Sequence, residues 1–176
     1  MHRRFFSTSS RVNRHYSSTF KASNLGQNLA KYDIYALAEK PENNVEMISD
    51  DSIVFSNLKV IRSPNKQQEP IGALLLNNQI FEINLKDTEF HHNNVVVELT
   101  PKLFDILSLA YPKPELIIAG LGKRTRMLGP KTRESLNKLG IRVETSDTKS
   151  SALSYDLLAT ERSPALVASI MLPPNL

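Results

Sequence analysis

Between Glu115 and Pro174 the chain passes twice from a short apolar run through a helix-like segment to the next run, and that alternation constrains the fold more than any other feature. Leu116-Ile117-Ile118-Ala119, entered from Glu115, is unbroken apolar sequence of strand length, as a strand covered on both faces requires. Gly120-Leu121-Gly122 then turns the chain. Pro130 suits the first position of a helix that points Leu136 and Leu139 inward, and Gly140 closes it in the left-handed conformation that glycine tolerates. Ile141-Arg142-Val143-Glu144 alternates as a strand. Asp147 or Thr148 caps a further helix whose apolar positions are Ala152, Leu153, Tyr155, Leu157 and Leu158. Ala165 to Leu172 is apolar enough for a central strand, and Pro173-Pro174 ends it. Strand, helix, strand, helix, strand needs crossover connections, hence an α/β fold with a parallel or mixed sheet.

The preceding half is rich in strands. Ile53-Val54-Phe55 and Leu58-Lys59-Val60-Ile61 read as two short strands around Ser56-Asn57. Ile71 to Leu76 and Ile80 to Leu85 flank Asn77-Asn78-Gln79 as a β-hairpin. Thr100 is placed to cap a helix with Pro101 at its first position, carrying Leu103, Phe104, Ile106, Leu107 and Leu109 until Pro112 and Pro114 stop it. Residues 51–176 are thus expected to form a single α/β domain, and 31–50, with the turn-like Lys40-Pro41-Glu42-Asn43-Asn44, a loosely ordered linker.

Residues 1–30 have a different character. Arg3, Arg4, Arg11, Arg14 and Lys21 precede Asp33, the first acidic residue, and Ser7, Thr8, Ser9, Ser10, Ser17, Ser18, Thr19 and Ser23 are interspersed. Basic, hydroxyl-rich and acid-free sequence is that of a mitochondrial presequence and disordered leader, which the potential across the inner membrane draws inward. Arg14-His15-Tyr16-Ser17 resembles a presequence-peptidase site. Setting those five cations aside leaves 17 basic and 18 acidic residues in 23–176, so the +4 formal charge belongs to the leader and argues for no nucleic-acid partner. No apolar run approaches the roughly 18–20 residues of a membrane span.

Chemistry has few footholds. The chain contains no cysteine, which removes disulfides, thiolate metal sites and cysteine nucleophiles. His91-His92, the histidines outside the leader, lie in a polar His-His-Asn-Asn turn and are read as solvated, so no metal is expected. No Gly-x-Ser-x-Gly elbow occurs. The segment most like a site is Gly120, Leu121, Gly122, Lys123, Arg124, Thr125 and Arg126, which follows a buried strand and precedes a helix. Lys123, Arg124, Arg126, Lys131 and Arg133 lie there with no acid among them. Phosphate motifs fail on spacing: a P-loop needs glycine where Ile117 stands, and a dinucleotide loop needs it at Thr125. Gly120, Gly122, Lys123, Arg124 and Arg126 are accordingly a candidate partner-docking or anion-binding patch. Tyr155 is the one acid–base candidate, and its ordinary role is to bury its ring against the sheet. The chain is read as no enzyme, without a cofactor.

Several segments together resemble a known family. Pro114-Glu115-Leu116-Ile117-Ile118-Ala119-Gly120-Leu121-Gly122-Lys123, Leu139-Gly140-Ile141-Arg142-Val143-Glu144, Asp147-Thr148, Tyr155-Asp156-Leu157-Leu158-Ala159-Thr160-Glu161-Arg162 and Met171-Leu172-Pro173-Pro174 are similar, in order and spacing, to the complex I assembly factor 3 family and its small archaeal and bacterial relatives. Asn57-Leu58 and the run from Ile71 to Leu76 match its first half. Before its tyrosine the family often has an alanine-cysteine-arginine-threonine-type string and after it an asparagine, where this chain has Ser150-Ser151-Ala152-Leu153-Ser154 and Asp156. The resemblance implies a three-layer α/β fold on a central mixed β-sheet. It further implies a non-enzymatic factor that assembles respiratory complex I with its subunits and a second assembly factor, in the matrix or peripherally at the matrix side of the inner membrane. Two other readings stand beside it: a small-molecule or anion-binding domain using the loop from Gly120 to Arg126, and an RNA- or mitoribosome-associated protein.

Overall fold

The structure, a computed structural model, describes residues 40–176. In chain order these form β1 (Val45–Ile48), β2 (Ser52–Phe55), β3 (Val60–Arg62), β4 (Ile71–Leu76), β5 (Gln79–Asn84), β6 (Glu89–His91), β7 (Val96–Glu98), helix α1 (Pro101–Leu109), β8 (Leu116–Leu121), β9 (Met127–Leu128), α2 (Pro130–Lys138), β10 (Arg142–Ser146), α3 (Thr148–Arg162) and β11 (Val167–Leu172). The presequence reading of 1–30 lies outside the described residues.

The alternation after Glu115 becomes the middle of a five-stranded sheet of order β10-β8-β11-β4-β5. β10 and β11 pair with β8 in parallel, Val143 opposite Ile117 and Ala168 opposite Ile117 from the other side. β4 runs antiparallel to both β11 and β5, so the sheet is mixed. The β4–β5 turn is Asn77-Asn78 with φ of 50° and 61°, the paired left-handed residues that match a hairpin's twist and that asparagine tolerates. β4, β8 and β11 are buried at every position, as central strands covered on two faces must be.

Alternation of side chains splits the core in two. On one face Leu74, Ile117, Ala119, Ile170 and Leu172 pack with Leu103 and Leu107 of α1, Leu136 of α2, and Val97 and Leu128. On the other, Ala73, Leu75, Ile118, Val167 and Met171 meet Ala152, Tyr155 and Ala159 of α3 together with Ile53, Phe55 and Ile61. The domain is therefore three layers about one mixed sheet. Each fully buried leucine or isoleucine contributes roughly 1.5–3 kcal/mol.

Two local expectations change, and two small sheets are added that the sequence does not announce. The strands Ile53–Phe55 and Val60–Ile61 do not extend the central sheet; with β1 they form a small antiparallel sheet of their own, laid face-on over the core. β1 lies within the 31–50 segment that the sequence marks as linker, and its Val45 and Ile48 pack on the second core cluster. β6, β7 and β9 make a third small sheet; at two or three residues each they carry too little pattern to be read. On α3, Leu153 and Leu157 point to solvent, 74% and 54% exposed. The helix instead presents Thr148, Ser151, Ala152, Tyr155 and Ala159 inward, a mostly small face that lets it lie close to the sheet.

Candidate functional site

The segment after β8 is built by contact with α3. Gly120 remains in the strand, opposite Ser146 and Met171, so the turn begins later than its glycines suggest. A Cβ at Gly120 would stand 2.9 Å from Thr148 Cα and 3.0 Å from Ser151 Cβ, so glycine is what allows the first turn of α3 to rest on the sheet. Gly122, at φ 98°, donates its N–H to Thr148 Oγ1 (2.9 Å) and accepts Thr148 N–H on its carbonyl (2.9 Å). The Thr148 hydroxyl donates in turn to Leu172 O (2.6 Å). One threonine thus joins the ends of β8, β11 and α3.

That arrangement fills the places where an anion would bind. The Gly122 amide is engaged, and the start of α3 is capped by Asp147, whose carboxylate accepts Ser150 N–H at 3.0 Å. The Ser150 hydrogen bonds lower the Asp147 pKa despite partial burial. The two glycines serve close packing, Gly120 against Thr148 and Ser151 and Gly122 against Arg126.

The cations of the segment separate. Lys123 and Arg124 are exposed. Arg126 is turned inward, 6% exposed, where Nη1 donates to Leu121 O (2.6 Å), Nη2 to the Leu176 backbone oxygen (2.7 Å) and Nε to Asn94 O (2.9 Å). Its guanidinium lies over the Phe90 ring, 5.2 Å from the centroid. Burial, and then the Arg124 charge, lower its pKa from the ordinary arginine value. Three carbonyls and a ring make Arg126 a clamp between the β6–β7 turn, the end of β8 and the last residue. It is not a surface contact, and the exposed part of the patch is Lys123 and Arg124.

One functional-looking group that the sequence does not flag also proves to hold structure. Glu98, at the end of β7 and 7% exposed, reaches the start of α2. It accepts Thr132 N–H (2.8 Å), Lys131 N–H (3.1 Å) and the Thr132 hydroxyl (2.6 Å), while Thr132 Oγ1 accepts Leu99 N–H (2.8 Å). Gly129, the N-cap residue, has no side chain to cap with, and a Cβ there would overlap the Glu98 carboxylate. Burial alone would raise the Glu98 pKa, but the bonds from Thr132 and Lys131 outweigh it and hold the carboxyl below its usual range. Thr100, by contrast, caps nothing: its hydroxyl is buried without a partner.

Tyr155 is fully buried, with its ring in the core below α3. Its hydroxyl donates to Asn43 Oδ1 (2.7 Å), and Asn43 Nδ2 donates to Gln79 O (3.1 Å). Burial raises its pKa, so the phenol stays neutral and pins α3 to the segment before β1. Beside it Asp156 accepts Val45 N–H at 3.4 Å; burial pushes its carboxyl up to about 6, against the opposing pull of that bond and of Lys40. His91 Nε2 lies 3.2 Å from Glu89 in the open, and among the described residues no group of three histidines or carboxylates is placed to hold a metal. No helix among the described residues is long and apolar enough to cross a membrane.

Among the described residues Met47, Leu58, Val60, Val95 and Met127 are exposed on or beside the small sheets, and apolar surface is uncovered in two further places. Between edge strand β5 and α1 runs a groove, about 390 Å³ at the Leu103 end and 260 Å³ at the Leu109 end, with Ile106 shared by both. Phe81, Ile106, Leu109 and Tyr111 are exposed along this side. The other place is Leu153 and Leu157, one turn apart on α3.

Comparison with known proteins places the chain in a family. The family model described as "Protein of unknown function (DUF498/DUF598)" matches residues 46–171. NADH dehydrogenase (ubiquinone) 1 alpha subcomplex assembly factor 3 of Danio rerio is 34% identical over 83 residues, 47% of this chain and 44% of that protein. The Xenopus tropicalis protein of the same name is 31% identical over 74 residues, 42% of this chain and 38% of its own length. The matches therefore span less than half of these curated relatives. Among solved structures, an outer membrane protein from Bartonella henselae superposes with TM-score 0.56 at 15% identity, covering 77% of this chain and 98% of that one. A Xanthomonas campestris protein does so with TM-score 0.52 at 18% identity, covering 75% and 85%. At these identities the structural likenesses establish the fold.

Proposed function

From the chain's membership of the DUF498/DUF598 family we propose that it is a non-enzymatic mitochondrial assembly factor for respiratory complex I, holding partly built subunits by protein–protein contact. The observation that carries this reading is the similarity to assembly factor 3 of Danio rerio and Xenopus tropicalis. The acid-free basic leader supports import into mitochondria. Work in the matrix or at the matrix face of the inner membrane, beside a second assembly factor, follows from the family resemblance.

The surface supports contact. The groove between β5 and α1 and the Leu153–Leu157 stripe leave large apolar side chains in water, which marks partner surfaces. Lys123 and Arg124 stand at the other end of β8 from the start of the strand and add a cationic contact point. The polar groups with unusual environments, Glu98, Arg126, Thr148 and Tyr155, are all engaged within the fold, so the loop from Gly120 to Arg126 is better read as docking surface than as an anion site. The test is affinity capture of the full chain from mitochondria after cross-linking, read by mass spectrometry. Complex I subunits should be enriched, and Lys123→Glu with Arg124→Glu should weaken their capture while the fold survives, since exposed substitutions usually change stability by less than about 0.5 kcal/mol. Capture lacking complex I subunits would contradict the reading.

A further inference from the structure

At the opposite end of β8 from Lys123, beside the open edge of the sheet, lies a cavity of about 340 Å³ that none of the groups above occupies. Three arginines converge on it from three elements: Arg133 from α2, Arg142 from the first position of β10, and Arg162 from the last position of α3. The ion pairs among the described residues engage other cations, Lys86 with Glu69, Lys102 with Asp87 and Lys138 with Glu134. None takes up Arg133, Arg142 or Arg162, although Glu115 and Glu144 line the same cavity.

The backbone adds a donor. Arg142 N–H bonds Glu115 O across to β8 at 2.9 Å, so strand alternation turns the Val143 N–H and carbonyl outward, and β10 is the last strand on that side. Val143 lines the cavity. Charges along an edge strand are a common guard against unwanted pairing. That purpose would be met by Arg142 and Glu144 on β10 alone; it does not require guanidiniums from α2 and α3 to face the same space. With Glu115 and Glu144 also in the lining, the cavity keeps one net positive charge, and its three guanidinium forks suit phosphate and carboxylate geometry.

We propose that this cavity binds a small molecule through an oxyanion group, a phosphate or a carboxylate, held by Arg133, Arg142 and Arg162 with the Val143 amide beside it. Glu115 and Glu144 accept hydrogen bonds from hydroxyl or ammonium groups of the same ligand. The site is independent of the assembly role, and either can fail without the other.

The test titrates the full chain with sodium phosphate and, separately, with sodium citrate, each against sodium chloride at matched ionic strength to remove general screening. Binding is read by calorimetry and by the rise in Tm. At least one oxyanion should raise Tm beyond chloride, and the stronger of the two identifies the group as phosphate or carboxylate. Arg133→Gln with Arg142→Gln should weaken that binding about tenfold or more, the scale of losing charge-assisted hydrogen bonds. Lys123→Gln with Arg124→Gln, which removes the same charge from the other end of β8, should leave it unchanged. Should the first double variant fail to fold, Arg162→Gln alone replaces it, with a several-fold loss expected. Responses no larger than chloride, binding that survives loss of the cavity arginines, or equal weakening in both double variants would overturn the proposal.

Discussion

Replacing Glu98 with glutamine should destabilise the domain at neutral pH by about 2–3 kcal/mol. The carboxylate faces three donors, Thr132 N–H, Lys131 N–H and the Thr132 hydroxyl, at 2.8, 3.1 and 2.6 Å. A glutamine amide offers one acceptor oxygen and turns its NH₂ toward the remaining donors. At least one buried donor is then left unpaired, a cost of roughly 1–3 kcal/mol, and the charge assistance of the others is lost as well. For a domain of this size that is a fall in Tm of roughly 7–12 °C, measured by circular dichroism. The pH dependence gives a second reading. The folded pKa of Glu98 lies below its ordinary 4.5, so the unfolded chain binds the proton more readily. The stabilisation is complete above that ordinary value and disappears as pH falls through the folded pKa. The gap between wild type and Glu98→Gln should therefore narrow as pH falls below 4.5. A loss below about 0.5 kcal/mol at neutral pH, or a gap that does not change with acidification, would refute the capping role.

Tyr155→Phe keeps the buried ring but strands Asn43 Oδ1, so a loss of about 1–2 kcal/mol by denaturant unfolding is expected, with complex I still restored in cells; an inactive variant of normal abundance would mean that the hydroxyl does chemistry. Gly120→Ala brings a methyl to 2.9 Å from Thr148 Cα and should cost about 1–3 kcal/mol, whereas an unchanged Tm would show that α3 is free to shift. Asp156, raised to about 6, holds its proton more tightly folded than unfolded, so its contribution to stability declines as pH rises from its ordinary value through about 6. Asp156→Asn should therefore have the higher Tm above that range and no advantage below it, and a variant that is less stable at neutral pH would contradict the burial argument.

How much of this was readable follows from how local each signal is. The β4–β5 hairpin was legible because apolar runs flank Asn77-Asn78, which the backbone holds at positive φ. α2 was legible because Pro130 and Gly140 punctuate it, with Gly140 at φ 74°. The cap of α2 was not, since Glu98 and Thr132 are 34 residues apart and only the folded chain brings them together. Lys123, Arg124 and Arg126 look alike in sequence, yet Arg126 alone can reach Leu121 O, Asn94 O and Leu176 at once. The inward face of α3 was misread at Leu153 and Leu157 because hydrophobicity marks leucine as core. The glycine at 120 instead sets a close approach to Thr148 and Ser151, and Ala152, Tyr155 and Ala159 continue that inward face. The cavity arginines come from three separate elements and carried no shared motif.

The central claim, assembly of complex I, is tested most directly by removing the protein from its own cells and measuring assembled complex I in isolated mitochondria by native electrophoresis with an in-gel activity stain. The account predicts that fully assembled complex I falls while partly built intermediates accumulate, that the other respiratory complexes stay at normal levels, and that the full chain restores assembly. Normal amounts of assembled, active complex I in mitochondria without the protein would contradict it.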